Sequence, residues 1–222
     1  MNAFTIDFDI DGTRTVTAPI ARTIIAGYTG RDRASVQAHI DELAAIGIAP
    51  PPEVPMFYRI PRELLTSDGT ISVPGATTSG EVEPVLIRLD FGLFLGVGSD
   101  HTDREVEKRD IAESKASAPK PVSRQLIPFE SVQAQWDDIE MSCDLDGAVY
   151  QRGYLKDLTH PRDLLREFTA RGDGLRPGDA MFCGTMPLVT GEFRFGSHYL
   201  LRMTLPSGLC IEHEYHVQTG GQ

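Results

Sequence analysis

Short β-rich runs separated by turn signals make up most of this 222-residue chain, and this pattern restricts the fold more than any other feature. Residues 4–16 alternate apolar and polar side chains around Asp11-Gly12, a pair typical of a tight hairpin turn. Further β-rich runs occupy residues 56–60, 82–88, 91–97, 139–154, 180–183, 199–205 and 209–217. A chain with this many short strands must bury them in one or more sheets.

Only two stretches have apolar side chains at helical spacing. The first covers residues 34–45 and ends before Gly47, and the second is centred on Leu164 and Phe168 and ends before Gly172. We therefore predict an α+β fold with a mixed, mostly antiparallel sheet and few helices.

The charge balance argues against two classes of partner. The chain carries 21 Lys and Arg residues against 32 Asp and Glu residues, which gives a net charge of −11. Nucleic acids and anionic membranes both bind basic surfaces, so we expect neither as a partner. A small anionic substrate would need a local positive centre, such as a metal ion or a buried Lys or Arg.

Cysteine usage and the lack of long apolar runs predict a cytoplasmic protein. The three cysteines are widely spaced and form no CxxC pair, which fits a reducing compartment. The first residues lack the apolar segment of a signal peptide. The longest apolar stretch, around residues 91–98, is too short to span a bilayer.

Three acidic residues near strand ends are candidate metal ligands. Glu81 and Glu83 are two residues apart at the start of a β-rich run, so their side chains lie on one face. Asp100 follows an apolar run that ends in glycines, where the backbone can approach a ligand closely. Two glutamates and an aspartate form an all-oxygen donor set suited to a hard cation such as Mg²⁺. The alternative is that these residues simply face solvent.

Two patterns contain histidine. His39 and Glu42 are three residues apart on the first predicted helix, where the carboxylate can raise the basicity of the imidazole and make it a general base. An idle surface pair is the alternative. Residues 212–216 are rich in metal-ligating types, but on a strand His213 points away from His216. We interpret this segment as an edge strand with a half-solvated polar face.

Several segments, in order along the chain, resemble the fumarylacetoacetate hydrolase superfamily, whose members are metal-dependent enzymes acting on 2-oxo acids and acylpyruvates. The most specific is residues 175–187, which are similar to the family's L-x-P-G-D…T-G-T-P segment. The other similar segments are residues 39–42 (H-x-x-E), 55–61 (P-x-x-F-x-K-P), 79–83 (E-x-E), 100–105 (D-x-[ST]-A-R-D) and 114–123 (K-S/G-F…P-[VM]-[SG]). The match runs from about residue 22 to 217.

The resemblance implies a fold and a metal site. The fold would be the mixed, mostly antiparallel β-roll of the family's C-terminal domain. Residues 1–55 would form a small N-terminal portion with the hairpin and the first helix, and residues 56–222 the metal-binding catalytic core. Glu81, Glu83 and Asp100 would bind Mg²⁺, or Mn²⁺ or Ca²⁺ in its place.

The resemblance also implies roles for five further residues. Lys115 would face the substrate, and His39 with Glu42 would activate water. Thr185 would hydrogen-bond the substrate carboxylate, and Arg104 would brace the ligand aspartate.

The implied activity is that of a divalent-metal-dependent hydrolase, acting as a homodimer. It would cleave a C–C bond in an acylpyruvate-like 2-oxo (β-diketo) acid through a metal-bound enolate. The same metal site could serve a 2-oxo acid decarboxylase, hydratase or isomerase. A non-catalytic binding protein on this fold is a third reading.

Departures from the family pattern indicate a divergent branch. The segment between Glu83 and Asp100 is shorter than usual, and no helix is predicted in it. Pro84 follows Glu83 directly, so this strand should lie at a sheet edge or begin at that point. Met186 interrupts the family's G-T-P sequence.

Overall fold

The structure is a computed structural model that describes residues 3–45 and 49–220, with the side chains of His39, Glu42 and Leu43 left outside the description. The described ranges contain seventeen strands: β1 (Thr5–Ile10), β2 (Arg14–Pro19), β3 (Arg22–Gly27), β4 (Met56–Ile60), β5 (Leu65–Thr66), β6 (Thr70–Val73), β7 (Thr78–Ser79), β8 (Val82–Leu89), β9 (Gly92–Ser99), β10 (Thr102–Asp103), β11 (Lys120–Pro121), β12 (Gln125–Pro128), β13 (Glu140–Leu145), β14 (Ala148–Tyr154), β15 (Asp179–Phe182), β16 (His198–Thr204) and β17 (Cys210–Thr219). They also contain five α-helices: α1 (Arg33–Ala45), α2 (Arg104–Glu107), α3 (Ile111–Ala116), α4 (Phe129–Val132) and α5 (Pro161–Ala170).

Eight strands form one mixed sheet, in the order β2-β1-β12-β9-β8-β15-β3-β4. The predicted hairpin is confirmed, since β1 and β2 pair antiparallel around a turn in which Asp11 and Gly12 both have positive φ. Neighbouring strands run antiparallel except in the β1–β12 and β15–β3 pairs. The mixed, mostly antiparallel sheet is therefore as predicted.

This sheet curls around a core of its own. Buried side chains from strands across the whole sheet pack into one cluster, among them Ile6, Phe8, Ile25, Val85, Phe94, Leu126 and Phe182. A sheet whose distant strands share one core in this way forms a roll.

A second sheet covers the outside of the roll. It has five strands in the order β14-β13-β16-β17-β6. A second core joins Val82 and Leu86 of the first sheet to Met141, Leu201 and Tyr215 of the second. Since Val85 and Ile87 belong to the inner core, β8 is buried on both faces, which explains its nearly continuous apolar sequence.

Both predicted helices are present, as α1 and α5. The other three helices have four to six residues, too few to produce a recognisable apolar period. The side chains of Asp103 and Asp110 cap α2 and α3 by accepting hydrogen bonds from backbone N–H groups. In the part of the chain that is described, no helix is long and apolar enough to cross a membrane.

Strands from both sides of the predicted division at residue 55 share the eight-stranded sheet. Strand β3 lies between β15 and β4, and β1 pairs with β12. Backbone pairing therefore crosses the division, and the separation into residues 1–55 and 56–222 stays a prediction.

Candidate metal centre

The hairpin of β8 and β9 brings three carboxylates to one face. Glu81 precedes β8, Glu83 lies within it, and Asp100 follows β9 directly. In the antiparallel register Glu83 pairs with Gly98, which places Asp100 opposite Glu81, and the Asp100 N–H donates to the Glu81 carbonyl at 3.0 Å. Directly paired residues share a face of the sheet. One carboxylate oxygen from each residue lies within 4.8 Å of the other two.

Two of the three carboxylates are buried, Glu81 is partly exposed, and the three differ electrostatically. Glu83 is 3% exposed and Asp100 is fully buried. Burial raises the pKa of Glu81, and burial together with the nearby Asp100 charge raises that of Glu83 well above its usual value. Burial alone would also raise the pKa of Asp100, but the charges of Lys115 and Lys120 outweigh it and lower the pKa to about 2.

Two buried lysines contact the Asp100 carboxylate. The Lys115 ammonium, from α3, donates to Asp100 Oδ2. The Lys120 ammonium, from β11, lies 3.0 Å from Asp100 Oδ1 and donates to the His101 carbonyl. Burial would lower the pKa of Lys115, but the three surrounding carboxylates raise it, whereas for Lys120 burial prevails and the pKa is lowered.

Arg104 corrects one expectation, because its guanidinium contacts Glu81 and not Asp100. Its Nε donates to Ser79 Oγ at 2.7 Å, and its Nη2 lies 3.3 Å from Glu81 Oε1. The physical reason is that β10 pairs with β7 and places the start of α2 beside Ser79. The ring of Phe193 covers the guanidinium, with 4.0 Å between its centroid and the Arg104 Cζ.

Thr185 borders the carboxylates, with its hydroxyl already hydrogen-bonded. The neighbouring Gly184 N–H donates to Glu83 Oε2 at 2.8 Å. Thr185 Oγ1 donates to the Val82 carbonyl at 3.0 Å and accepts from Gln151 Nε2 at 2.9 Å. The hydroxyl proton therefore reaches a further acceptor only if the bond to Val82 breaks.

The structure adds residues that the sequence did not single out. Besides Lys120, these include His101, whose ring nitrogens lie 3.1 Å from Tyr215 Oη and 3.0 Å from Thr78 Oγ1. Burial lowers the pKa of His101 to about 3. The Lys115 ammonium lies 5.8 Å from the ring centroid of Tyr58, and burial raises the pKa of Tyr58 to about 12. No sequence signal separates these side chains from ordinary surface or core residues.

The predicted His39–Glu42 pair belongs to α1, but both side chains lie outside the described part of the chain. Its proximity to the carboxylates therefore stays a prediction. Two surface clefts lie away from the carboxylates, one lined in part by Arg31 and His160 and the other at the β1–β2 turn.

The donor set fits a hard divalent cation, since three carboxylates converge and two of them have raised pKa values that a cation would reverse. Residues 26–215 match the sequence model of a family described as "Protein of unknown function (DUF2848)". The chain belongs to the DUF2848 family. A comparison of the chain with curated proteins found no match.

Solved structures show which fold this DUF2848 member has. A fumarylpyruvate hydrolase from Pseudomonas aeruginosa, in complex with Mn²⁺ and pyruvate, is 21% identical with a TM-score of 0.68, over 97% of each chain. A 5-carboxymethyl-2-hydroxymuconate delta-isomerase from Mycobacterium smegmatis is 17% identical with a TM-score of 0.65, over 99% of this chain and 95% of its own. A yeast fumarylacetoacetate hydrolase family protein is 15% identical with a TM-score of 0.65, over 91% of this chain and 95% of its own. The DUF2848 member therefore has the fumarylacetoacetate hydrolase fold, which confirms the fold that the sequence resemblance implied.

Proposed function

We propose that this protein is a divalent-metal-dependent hydrolase that cleaves a C–C bond in an acylpyruvate-like 2-oxo (β-diketo) acid. The observation that carries the proposal is the cluster of Glu81, Glu83 and Asp100 with the Lys115 ammonium against it. The similar fumarylpyruvate hydrolase from Pseudomonas aeruginosa, which was solved with Mn²⁺ and pyruvate, supports the same chemistry here.

Glu81, Glu83 and Asp100 would hold Mg²⁺, with Mn²⁺ and Ca²⁺ as the other candidates, because carboxylate oxygens are the ligands these ions prefer. When bound, such an ion supplies a Lewis acid that polarises the substrate oxygens. It also provides the positive centre that an anionic substrate needs on a chain of net charge −11.

Lys115 stabilises negative charge that develops on a substrate oxygen. An ammonium group has three N–H donors, and the Lys115 ammonium directs one of them at Asp100. The remaining donors are available to substrate, and the raised pKa keeps this lysine charged at neutral pH. Lys115 is therefore the catalytic electrophile of the proposal.

Arg104 and Thr185 bind the substrate carboxylate in this proposal. Arg104 Nη2 is buried without a hydrogen-bond partner among the described residues, so it retains free N–H donors. Thr185 donates to the substrate after its hydroxyl leaves the Val82 carbonyl. Both residues flank glutamates of the cluster, Arg104 at Glu81 and Thr185 next to the Gly184 N–H that holds Glu83.

His39, oriented by Glu42, takes the proton of the water that attacks the distal carbonyl. Both residues belong to α1, and positions three apart are neighbours on the surface of a helix. This role distinguishes hydrolysis from reactions that need no water.

The second candidate function is isomerisation, decarboxylation or hydration of a 2-oxo acid at the same site. The similar isomerase from Mycobacterium smegmatis favours this alternative. A non-catalytic binding protein is the remaining reading, and the buried Lys115–Asp100 pair beside two further carboxylates argues against a decayed site.

The first test is the ultraviolet absorbance of acylpyruvates and of oxaloacetate with the purified protein, in Mg²⁺, in Mn²⁺ and in EDTA. We expect EDTA-sensitive loss of acylpyruvates. Loss of oxaloacetate alone would instead indicate a decarboxylase. If neither compound is consumed while the metal is bound, the proposed hydrolase activity is wrong.

Variants assign the activity to the site. Glu83→Ala should abolish Mn²⁺ binding and turnover, because it removes a buried ligand. Glu105→Ala is the matched control, since Glu105 is exposed on α2 and pairs with Lys108. Normal turnover by Glu83→Ala would show that the active site lies elsewhere.

His39→Ala should abolish hydrolysis but spare decarboxylation if the dyad activates water.

We propose a homodimer in the cytoplasm as the working form, on the strength of the sequence resemblance and the unpaired cysteines. Cys143 and Cys183 are buried and Cys210 is partly buried, and all three are free thiols. Sedimentation velocity at micromolar protein should give about twice the monomer mass of 24.4 kDa. A single species at the monomer mass would contradict the homodimer.

A further inference from the structure

Two histidines and a glutamate stand together on the outer face of the five-stranded sheet. Strands β16 and β17 pair antiparallel with His198 directly opposite His216, so both imidazoles project from the same face. The two rings are stacked, with centroids 4.7 Å apart and planes 15° apart. Glu214 lies two residues along β17, and its Oε1 is 2.5 Å from His198 Nε2.

The backbone under these side chains is held by β16, and from His216 onward by β6 as well. The interpretation of residues 212–216 as an edge strand therefore holds for residues 212–215 and is corrected only at His216. Strand β6 occupies the edge of the sheet, and its pairing with β17 begins at His216. The His216 N–H donates to the Gly69 carbonyl at 2.9 Å, and the His198 N–H donates to Asp146 Oδ1 at 2.9 Å. The three side chains therefore all project from the β16–β17 ladder, and only their own torsions have to change to bind a ligand.

The donor atoms are close enough for one metal ion. One ligand atom from each residue lies within 4.8 Å of the others. Two ligands about 2.1 Å from a tetrahedral ion lie about 3.4 Å apart. The side chains of His198 and Glu214 are 33% and 60% exposed. They can therefore rotate to bring the donor atoms to the separation that a metal ion needs without disturbing the core.

We propose that His198, Glu214 and His216 form a surface site for a borderline transition-metal ion, with Zn²⁺ as the preferred ion and water in the fourth position. Imidazole and carboxylate donors suit Zn²⁺ and Co²⁺, whereas Mg²⁺ and Ca²⁺ prefer oxygen donors alone. The site therefore selects a different class of ion from the three carboxylates beside Lys115.

The two sites lie on opposite faces of the second sheet. Tyr199 and Tyr215, each next to one of the histidines in sequence, point the other way into the core. There they pack against His101, which follows Asp100. The proposal does not depend on the activity proposed for the carboxylate site.

The test is a titration of the full chain with Co²⁺ in saturating Mg²⁺, followed by visible absorption, and with Zn²⁺ by calorimetry. We expect one Co²⁺ per chain with the intense bands of a tetrahedral ion. His216→Gln and Glu214→Gln should each weaken Zn²⁺ binding at least tenfold. Glu212→Gln, two residues away on the same face and paired with Arg202, should bind Zn²⁺ like the unmodified protein.

Three outcomes would overturn the proposal: no Zn²⁺ bound in saturating Mg²⁺, unchanged affinity in both His216→Gln and His198→Gln, or equal loss in Glu212→Gln. Because all of these side chains are on the surface, the variants should fold. Unchanged Mn²⁺ binding at the carboxylates in His216→Gln checks this and shows that the two sites are separate.

Discussion

Lys120 is the residue that most changes the charge of the candidate site. Its ammonium is fully buried and lies against Asp100 together with that of Lys115, so one carboxylate faces two cations. With Arg104, which contacts both Glu81 and Glu107, three positive charges already lie against the carboxylates of this region before any metal binds. Any divalent cation that binds here must therefore do so against these cations, and its affinity depends on them.

Lys120→Met should raise the affinity for Mn²⁺ at least tenfold, because it removes a positive charge from beside a proposed ligand. The metal-free variant should lose up to about 3 kcal/mol of stability, because a buried ion pair loses one partner. Calorimetric Mn²⁺ titration and urea unfolding measure the two effects. Lys108→Met, at an exposed lysine directly after α2, should change neither quantity. A lower Mn²⁺ affinity in Lys120→Met would contradict this account.

The sequence predicted the three carboxylates of the site but not Lys120, for physical reasons. Strand alternation put Glu81 and Glu83 on one face, and the glycine-rich end of an apolar run singled out Asp100, before the family resemblance assigned all three to one metal site. Lys120 had no such signal, because a lysine between two prolines gives no indication of burial. The contacts of Lys120 depend on β11 pairing with β5, which is a long-range property of the fold.

Buried His213 should lower the stability of the folded protein at acid pH. It lies on the buried face of β17, and burial lowers its pKa to about 4 from 6.5. As pH falls below 6.5, the unfolded chain takes up a proton that folded His213 does not, so stability is lost. Replacing His213 by Leu should remove about 2 kcal/mol of the stability difference between pH 7 and pH 4.5. Urea unfolding at the two pH values measures it.

The matched control is His216→Gln, which changes an exposed side chain on the opposite face of the same strand. This variant should keep the full loss of stability at pH 4.5. If the loss is the same in His213→Leu as in the unmodified protein, buried His213 does not cause it.

At the scale of elements, the sequence predicted the connection between β8 and β9 correctly but not the position of β8 in the sheet. The absence of a helix between Glu83 and Asp100 is confirmed, because the two strands connect directly. Strand β8 is central and not at an edge, so the first alternative for Pro84 was wrong. Pro84 has no N–H to donate, and the missing donor would face β15. On that side the Pro84 carbonyl accepts a hydrogen bond from the N–H of Cys183, which directly follows the last residue of β15. The second alternative, a strand that begins at that point, is two residues off, because β8 begins at Val82.

The turn after β15 depends on a glycine. Gly184 has a φ of +109°, and a side-chain carbon there would overlap the hydroxyl of buried Thr29. Gly184→Ala should therefore move the peptide whose N–H holds Glu83, and lower the Mn²⁺ affinity at least tenfold. Gly191→Ala is the control, since Gly191 has a φ of +72° with open space around it. It should cost about 1–2 kcal/mol of backbone strain and leave Mn²⁺ binding intact. Equal Mn²⁺ affinities in the two variants would refute the role of Gly184.

At the scale of the whole molecule, the strand order could not be read from the sequence. Local patterns located most strands, but the order β2-β1-β12-β9-β8-β15-β3-β4 joins segments more than 100 residues apart. One example is β3 beside β15, where Arg22 pairs in register with Asp179 and also forms an ion pair with it. Such contacts depend on the closure of long loops and leave no periodic trace in the chain.

The carboxylate site also links parts of the molecule that are distant in sequence, so cation binding should stabilise the whole fold. The β8–β9 hairpin, α2, α3, β11 and the turn after β15 all place a group on the three carboxylates. A cation that binds only the folded chain stabilises it by about 2.7 kcal/mol at 100 times its Kd. For a chain of this size, Mn²⁺ should raise the Tm by roughly 5–10 °C. Differential scanning calorimetry measures the shift, which Glu83→Ala should lose and Glu105→Ala should keep. An equal rise in Glu83→Ala would mean that Mn²⁺ acts elsewhere on the protein.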